Sequence, residues 1–199
     1  MEFEQAVKHT LQFEGGYVHD PDDRGGETFR GISRRAWPAW PGWEDIDRAK
    51  SLGNRTRKSI DSYFAGDQSI SRKVADFYRA NFWQPFASFG LPGRLTAKLF
   101  DTAVNTGVKG AVKLAQKSAN LLALSPPLKV DGAAGAKTLA AISAAIGGNP
   151  GEDGFLAAFV KVQEDNYRRL AARPGQSKFL KGWLRRAAWL PPADKPSLA

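Results

Sequence analysis

Phe3, Val7, Leu11 and Glu14 recur at spacings of four, four and three, so a helix through the opening segment carries all four on one face. Gly15-Gly16 follows at once and predicts the stop, because glycine supplies the left-handed backbone that closes a helix C-terminus. Residues 17–31 lose the helical period: "DPDD" and "RGG" are turn signals, and "ETFRGI" reads as a strand or hairpin arm. Beyond this stretch the pattern is helical. Pro38 and Pro41 break the tryptophan-rich region at 34–54, and a short helix is predicted from about Trp43 to Leu52. Further helices are predicted over about 68–82, 95–105, 108–123, 135–146, 155–172 and 176–189, with connectors at 84–93, 125–135 and 147–154. In the last helix Phe179, Leu180, Trp183, Leu184, Ala187 and Ala188 share one face, while Lys178, Lys181, Arg185 and Arg186 fall toward the other. The expected fold class is mainly α, with a small β-hairpin region near residues 17–33 and a helical C-terminal part.

Composition narrows what such a fold can do. The chain has 199 residues, 42% of them apolar, enough for one well-cored domain with a small appended subdomain. It has no run of about 18 apolar residues, and "MEFEQAVKHT" carries acids where a secretory signal carries a basic and then an apolar segment. Cytoplasmic synthesis without a signal peptide is expected. Cysteine is absent, which removes thiolate chemistry, and the two histidines, His9 and His19, argue against a histidine-rich zinc site. Catalysis then falls to carboxylates, with no metal or cofactor expected.

The net charge of +9 calls for a polyanionic partner: nucleic acid, an anionic membrane or an acidic bacterial wall. From Lys161 to Lys195 nine basic residues face three acids, so the excess sits mostly in the C-terminal helices. "NRTRKS" at 54–59 and "SRK" at 71–73 have no recognition helix or aromatic-bearing sheet beside them, so nucleic acid is not the expected partner. The basic amphipathic terminal helix can lie on an anionic membrane or lipopolysaccharide, but docking on the core is the reading preferred.

Candidate chemistry gathers in residues 11–33, where 23 positions hold five acids and five glycines. Glu14 on an apolar helix face is partly desolvated, which favours the protonated form a general acid needs; the alternative is a glutamate at the helix edge facing water. Asp23 lies nine residues on in a polar segment where it stays ionised, and Thr28 follows in the strand. One carboxyl in an apolar setting and one in a wet setting form the pair that glycosidic cleavage uses, although "DPDD" also suits plain turn formation or, less well, a calcium loop.

Glu14-Gly15-Gly16-Tyr17 followed by Asp23-Arg24-Gly25-Gly26-Glu27-Thr28-Phe29-Arg30-Gly31-Ile32 resembles the signature of the glycoside hydrolase 108 family of N-acetylmuramidases, E-G-G-Y and then D-x-G-G-x-T-x-x-G-I. The glutamate, aspartate, threonine order is also similar to phage lysozymes of the T4 type, with the threonine one residue closer here. Residues 91–122 and 128–142, with "DTAVNTG" and "DGAAGAKT", resemble the peptidoglycan-binding region that follows this muramidase domain, and "FLKGWLRRAAWL" resembles the family's closing segment. Residues 34–70 are the least recognisable part.

The resemblance implies a lysozyme-like α+β fold, with a catalytic domain over 1–90 and a helical peptidoglycan-binding subdomain over 91–199. It implies Glu14 as the essential acid, Asp23 and Thr28 as its partners, and cleavage of the β-1,4 bond between N-acetylmuramic acid and N-acetylglucosamine. A phage or prophage endolysin, released through a holin or another export route and acting as a monomer, is the expected setting. A lytic transglycosylase and a non-catalytic wall-binding or secretion accessory are the alternatives. Tyr17, beside Glu14, is expected to touch glycan or to position Glu14. Asp101 and Asn105, four apart on one helical face, suit hydrogen bonds to sugar hydroxyls or acetamides; tying the helix to a neighbour is the other reading, and the resemblance tips the balance toward a cleft. Asp131, Gly132, Gly135 and Thr138 read as a fold-building turn. Trp83, Trp183 and Trp189 read as packing residues; at least one of Trp37, Trp40 and Trp43, in the proline-broken segment, could line the cleft, although ligand contact is not the preferred reading even there.

Overall fold

Residues 1–19, 26–122 and 126–193 are described by the computed structural model. The chain divides into two compact units: Val7–Asn81, and Met1–Ala6 together with the chain from Phe82 onward. The break falls before 90 because Trp83 packs edge-to-face on Phe3 and Phe100, at 5.5 and 5.6 Å, and Phe86 joins the core of the second unit.

Helix α1 (Phe3–Thr10) ends one turn short of the expected stop. The backbone then tightens: Gln12, Phe13 and Glu14 donate their N–H groups to the carbonyls of His9, Thr10 and Leu11, at 3.0, 3.0 and 3.3 Å. These three-residue steps satisfy terminal carbonyls and carry Glu14 out of the helix into a coil. After Gly15-Gly16 come β1 (Tyr17–Val18), β2 (Thr28–Phe29) and β3 (Ile32–Ser33), an antiparallel sheet in that order. Tyr17 pairs with Phe29 and Val18 with Thr28; Phe29 pairs with Ile32 and Thr28 with Ser33. A two-residue turn, Arg30-Gly31, joins β2 to β3 with φ of 45° and 81°, the doubly left-handed geometry that matches the twist of a hairpin.

Tyr17, Phe29 and Ile32 point inward from the sheet. Phe29 stacks on Trp40 and meets Phe64 edge-on, and Trp40 meets Trp43 at the start of α2 (Gly42–Ser51). Helix α3 (Arg57–Tyr63) falls where the sequence shows a basic run. Its signal is a capping box, Thr56 with Ser59, and Ile60 is its buried contribution. Helix α4 (Gln68–Tyr78) is capped by Asp67, whose carboxylate accepts from the N–H groups of Ser69 and Ile70, and it buries Ile70, Val74, Phe77 and Tyr78.

In the second unit α5 (Gln84–Ala87) occupies an expected connector, followed by α6 (Gly93–Thr106), α7 (Val108–Leu121), α8 (Ala136–Gly147), α9 (Gly151–Ala171) and α10 (Leu180–Ala188). Helices α7 and α8 pack on α9 around Leu95, Leu99, Leu114, Ile142, Phe155 and Phe159, and α10 packs on α9 farther along, where Trp183 stacks on Tyr167. Helix α9 starts four residues earlier than the apolar period indicates; Glu152 and Asp153 stand in its first turn, where acids suit the helix dipole, and Arg94 reaches Asp153 at 2.8 Å.

Helix α10 docks on this core, and one expectation about it is corrected. Arg186, assigned to the solvent face, is buried and bonds the Asp101 carboxylate through Nε at 3.1 and 3.2 Å. Lys98, fully buried, donates from Nζ to the carbonyls of Ala187 and Trp189 at 2.7 and 2.8 Å. Those carbonyls belong to the end of α10, so a lysine from α6 supplies partners that the helix cannot. Gln116 ties the 131–138 turn together, donating to Asp131 and accepting from the Gly132 N–H, in keeping with a structural turn. Among the described residues no helix is long and apolar enough to cross a membrane.

Candidate active site

The residue signalled most strongly by the sequence, Glu14, sits half-buried where the coil after α1 meets the hairpin turn. A Cβ on Gly31 would lie 2.8 Å from Glu14 Oε2 and would overlap the hydroxyl of Tyr78. The Glu14 carboxyl and the Tyr78 hydroxyl therefore flank the bare Cα of Gly31. Only a residue that lacks a side chain and accepts positive φ fits there. Tyr78, on the last turn of α4, donates to the Arg30 carbonyl at 2.8 Å, and the Arg30 N–H donates to the Gly16 carbonyl at 3.1 Å. Arg30 is held in a left-handed conformation that a long side chain rarely adopts, and its guanidinium donates to Ser71 Oγ. Burial pushes that guanidinium below its usual basicity.

The other side of the turn is fixed by Asp61 on α3. Its carboxylate accepts from the Tyr17 N–H at 2.7 Å and presses against Gly16, where a Cβ would collide with it. The two glycines after Glu14 thus allow a carboxylate from another helix to clamp the exit of the turn. Together Asp61, Tyr78 and the hairpin fix the backbone at Gly16, Tyr17 and Arg30, just after Glu14 and across from it.

Tyr17 points into the interior of its unit. It is 2% exposed, and its hydroxyl donates to Glu27 Oε1 at 2.8 Å. Glu27 is itself buried and also meets Lys50 Nζ and Arg34 Nε, each at 2.9 Å. Burial, and then the neighbouring Glu27 carboxylate, push the Tyr17 hydroxyl well above its usual pKa. This burial leaves the Tyr17 side chain no open face for the glycan contact expected of it and ties it instead to Glu27. Adjacency in sequence misled because alternate strand residues face opposite ways, and Val18 is the exposed one.

Thr28 lies on β2 of the same hairpin, half-buried, with Oγ1 3.4 Å from the Gly26 carbonyl. Asp23 lies outside the described residues. Trp40 and Trp43 are buried, with indole N–H groups donated to the carbonyls of Lys73 and Trp37. Trp37 is 39% exposed and meets Phe77 edge-on at 5.0 Å, in an open depression of about 430 Å³ in the same unit as Glu14.

Asp101 and Asn105 belong to the second unit and part company there. Asp101 is 0% exposed and paired with Arg186, so the sugar-binding role expected of it is corrected to an ionic tie between α6 and α10. Asn105, one helical turn on, is exposed and lines a groove. Sequence reasoning missed Tyr78 and Asp61, which lie far from the motif, and Glu27, which stands inside it at a position the motif leaves open; their contacts come from tertiary approach, although Gly16 and Gly31 hinted that something presses on the turn.

The glycosyl hydrolase 108 family model matches residues 7–107, the span that holds Glu14, the hairpin and Tyr78. The chain belongs to the glycosyl hydrolase 108 family. A second model, described as a predicted peptidoglycan domain, matches residues 110–188. Among solved structures this glycosyl hydrolase 108 chain is similar to SagA of Brucella abortus, with 29% identity and a TM-score of 0.61 over 93% of this chain and 88% of that one. No curated protein matches. The protein is a glycoside hydrolase acting on peptidoglycan, with the mainly α, lysozyme-like fold.

Proposed function

We propose that the protein is an N-acetylmuramidase, cleaving the β-1,4 bond from N-acetylmuramic acid to N-acetylglucosamine with Glu14 as the general acid. The observation that carries this reading is the fixed placement of Glu14 against Gly31, with the turn clamped by Asp61 and Tyr78. A general acid must hold its proton within hydrogen-bond reach of the leaving oxygen, and a carboxyl on a rigid turn meets that demand better than one on a mobile helix edge. In its acid form Glu14 gives its proton to the glycosidic oxygen as the C1–O bond breaks. Asp23 supports the positive charge that develops on the sugar ring or takes a proton from the attacking water, and Thr28 helps to place that water. Water ends on C1 and the carboxyl is restored when the second proton is returned.

The products test the bond assigned. Mass spectrometry of purified peptidoglycan after digestion is expected to find reducing N-acetylmuramic acid ends; anhydro-muramic ends instead would make the enzyme a transglycosylase. The biological setting we infer is that of a phage or prophage endolysin, in line with the resemblance of the Glu14–Ile32 signature to enzymes of that kind. Expression in a bacterial host with and without a holin tests it, with lysis expected only when the holin is present.

A further inference from the structure

The second unit holds a groove of about 890 Å³ between the first and middle turns of α7 and the C-terminal end of α9, outside the site around Glu14. Lys113 and Lys117, four apart on α7, line it from one side, and Arg169 in the last turn of α9 with Arg173 just beyond that helix from another. Asn105 and Trp183 complete the polar and aromatic part of the lining, and none of the described lining residues is acidic.

Elsewhere on α9 Arg168 pairs with Glu164 at 3.1 Å, and Asp153 pairs with Arg94 of α6. Lys113, Lys117 and Arg173 have no ion pair among the described residues, and Arg169 is steadied by Asn166 Oδ1 at 2.7 Å. Lys113 and Lys117, at four-residue spacing on α7, repel each other, and with Arg169 and Arg173 across the same concavity they raise the local potential for anions. Lys113 is also anchored: its Cγ would lie 3.1 Å from a Cβ on Gly132, so its stem packs on that turn. Trp183 is held by stacking on Tyr167 and Phe179.

We propose that this groove binds the carboxylates of the peptidoglycan stem peptide, so that the enzyme engages peptide-bearing wall apart from its grip on the glycan. The proposal rests on the peptidoglycan reading of the chain and names the part of that polymer the groove takes. The chemistry selects the peptide: glycan hydroxyls and acetamides are neutral, and in peptide-substituted strands the lactyl carboxyl is taken up as an amide. The free carboxylates are those of the stem, and charge-assisted hydrogen bonds from lysine and arginine recognise them.

The test is calorimetric titration of the full chain with free stem tetrapeptide and with the same peptide amidated at its carboxylates. The expected result is binding of the free peptide alone, weakened about tenfold in Lys113→Gln/Arg173→Gln and further in Lys113→Glu/Arg173→Glu. Both residues are exposed, and unchanged circular dichroism is expected. The variants should also digest intact sacculi about tenfold more slowly than the wild type while cutting glycan strands stripped by amidase and then amidated at the freed lactyl carboxyls at the wild-type rate. No binding of the free peptide, equal binding of the amidated one, displacement by equimolar inorganic phosphate, or wild-type affinity in both variants would overturn the proposal. Failure of the wild type to cut stripped strands would count against the muramidase reading alone, because peptide binding is measured without hydrolysis.

Discussion

Gly31 is the position where the hairpin, α4 and the acid meet, and its missing side chain is what lets them meet. Gly31→Ala is expected to lower turnover of peptidoglycan more than a hundredfold and to destabilise the protein by about 1–3 kcal/mol, because the new methyl must displace Tyr78 or Glu14 at a strained φ. Turnover and urea denaturation measure the two effects; a stable, fully active alanine variant would show that the turn does not hold Glu14. Tyr78→Phe removes one hydrogen bond to the Arg30 carbonyl and should cost about 1 kcal/mol of stability with about a tenfold loss in turnover. Glu14 was legible in the sequence because a carboxyl at the apolar period followed by two glycines is an unusual pattern. The direction of Tyr17 was not, since it depends on strand register, and the split between Asp101 and Asn105 was not, since helical spacing reveals a shared face but not where the covering helix ends.

Among the elements, α10 shows most clearly how tertiary partners override a sequence pattern. Its apolar stripe was readable, yet Arg186 lies inward because Asp101 waits for it. Asp101→Asn is expected to leave a buried guanidinium without its counter-charge and to lower stability by about 3–5 kcal/mol, read by thermal or urea unfolding; loss of less than about 1 kcal/mol would show that the pair carries little weight. Lys98 gives a pH signature. Burial pulls its pKa from 10.5 down to about 8. Between about pH 8 and the ordinary lysine range the unfolded chain keeps this proton while the native chain has released it, so stability rises with pH there. Above pH 10 the raised Tyr17 pKa works the other way, because the unfolded tyrosine then ionises first. From pH 8 to 10 the gain should be of order 1–3 kcal/mol, at about 1.4 kcal/mol per unit, and Lys98→Met should flatten it. Long helices with a clean apolar period were readable to within a few residues. The seven-residue α3 was not, since one buried isoleucine gives no period and its cap alone marks it.

At the scale of the molecule, a net charge of +9 on an enzyme of an anionic polymer should make digestion of sacculi fall as salt rises from about 50 to about 300 mM, where the Debye length shortens from over 10 Å to about 6 Å. A salt-independent rate would mean that the charge does not assist wall binding. Composition and two motifs sufficed for the mainly α class and for the glycosyl hydrolase 108 family. The division at Phe82 was not readable, because it follows from Trp83 meeting Phe3 across the length of the chain. The measurement that bears most directly on the central claim is the rate of peptidoglycan clearing by Glu14→Gln beside the wild type, with the thermal unfolding of both recorded. The account predicts superimposable unfolding and a loss of clearing of at least a thousandfold, as expected when the proton donor of a glycosidic cleavage is removed; a folded Glu14→Gln protein that clears the wall within tenfold of the wild-type rate would contradict it.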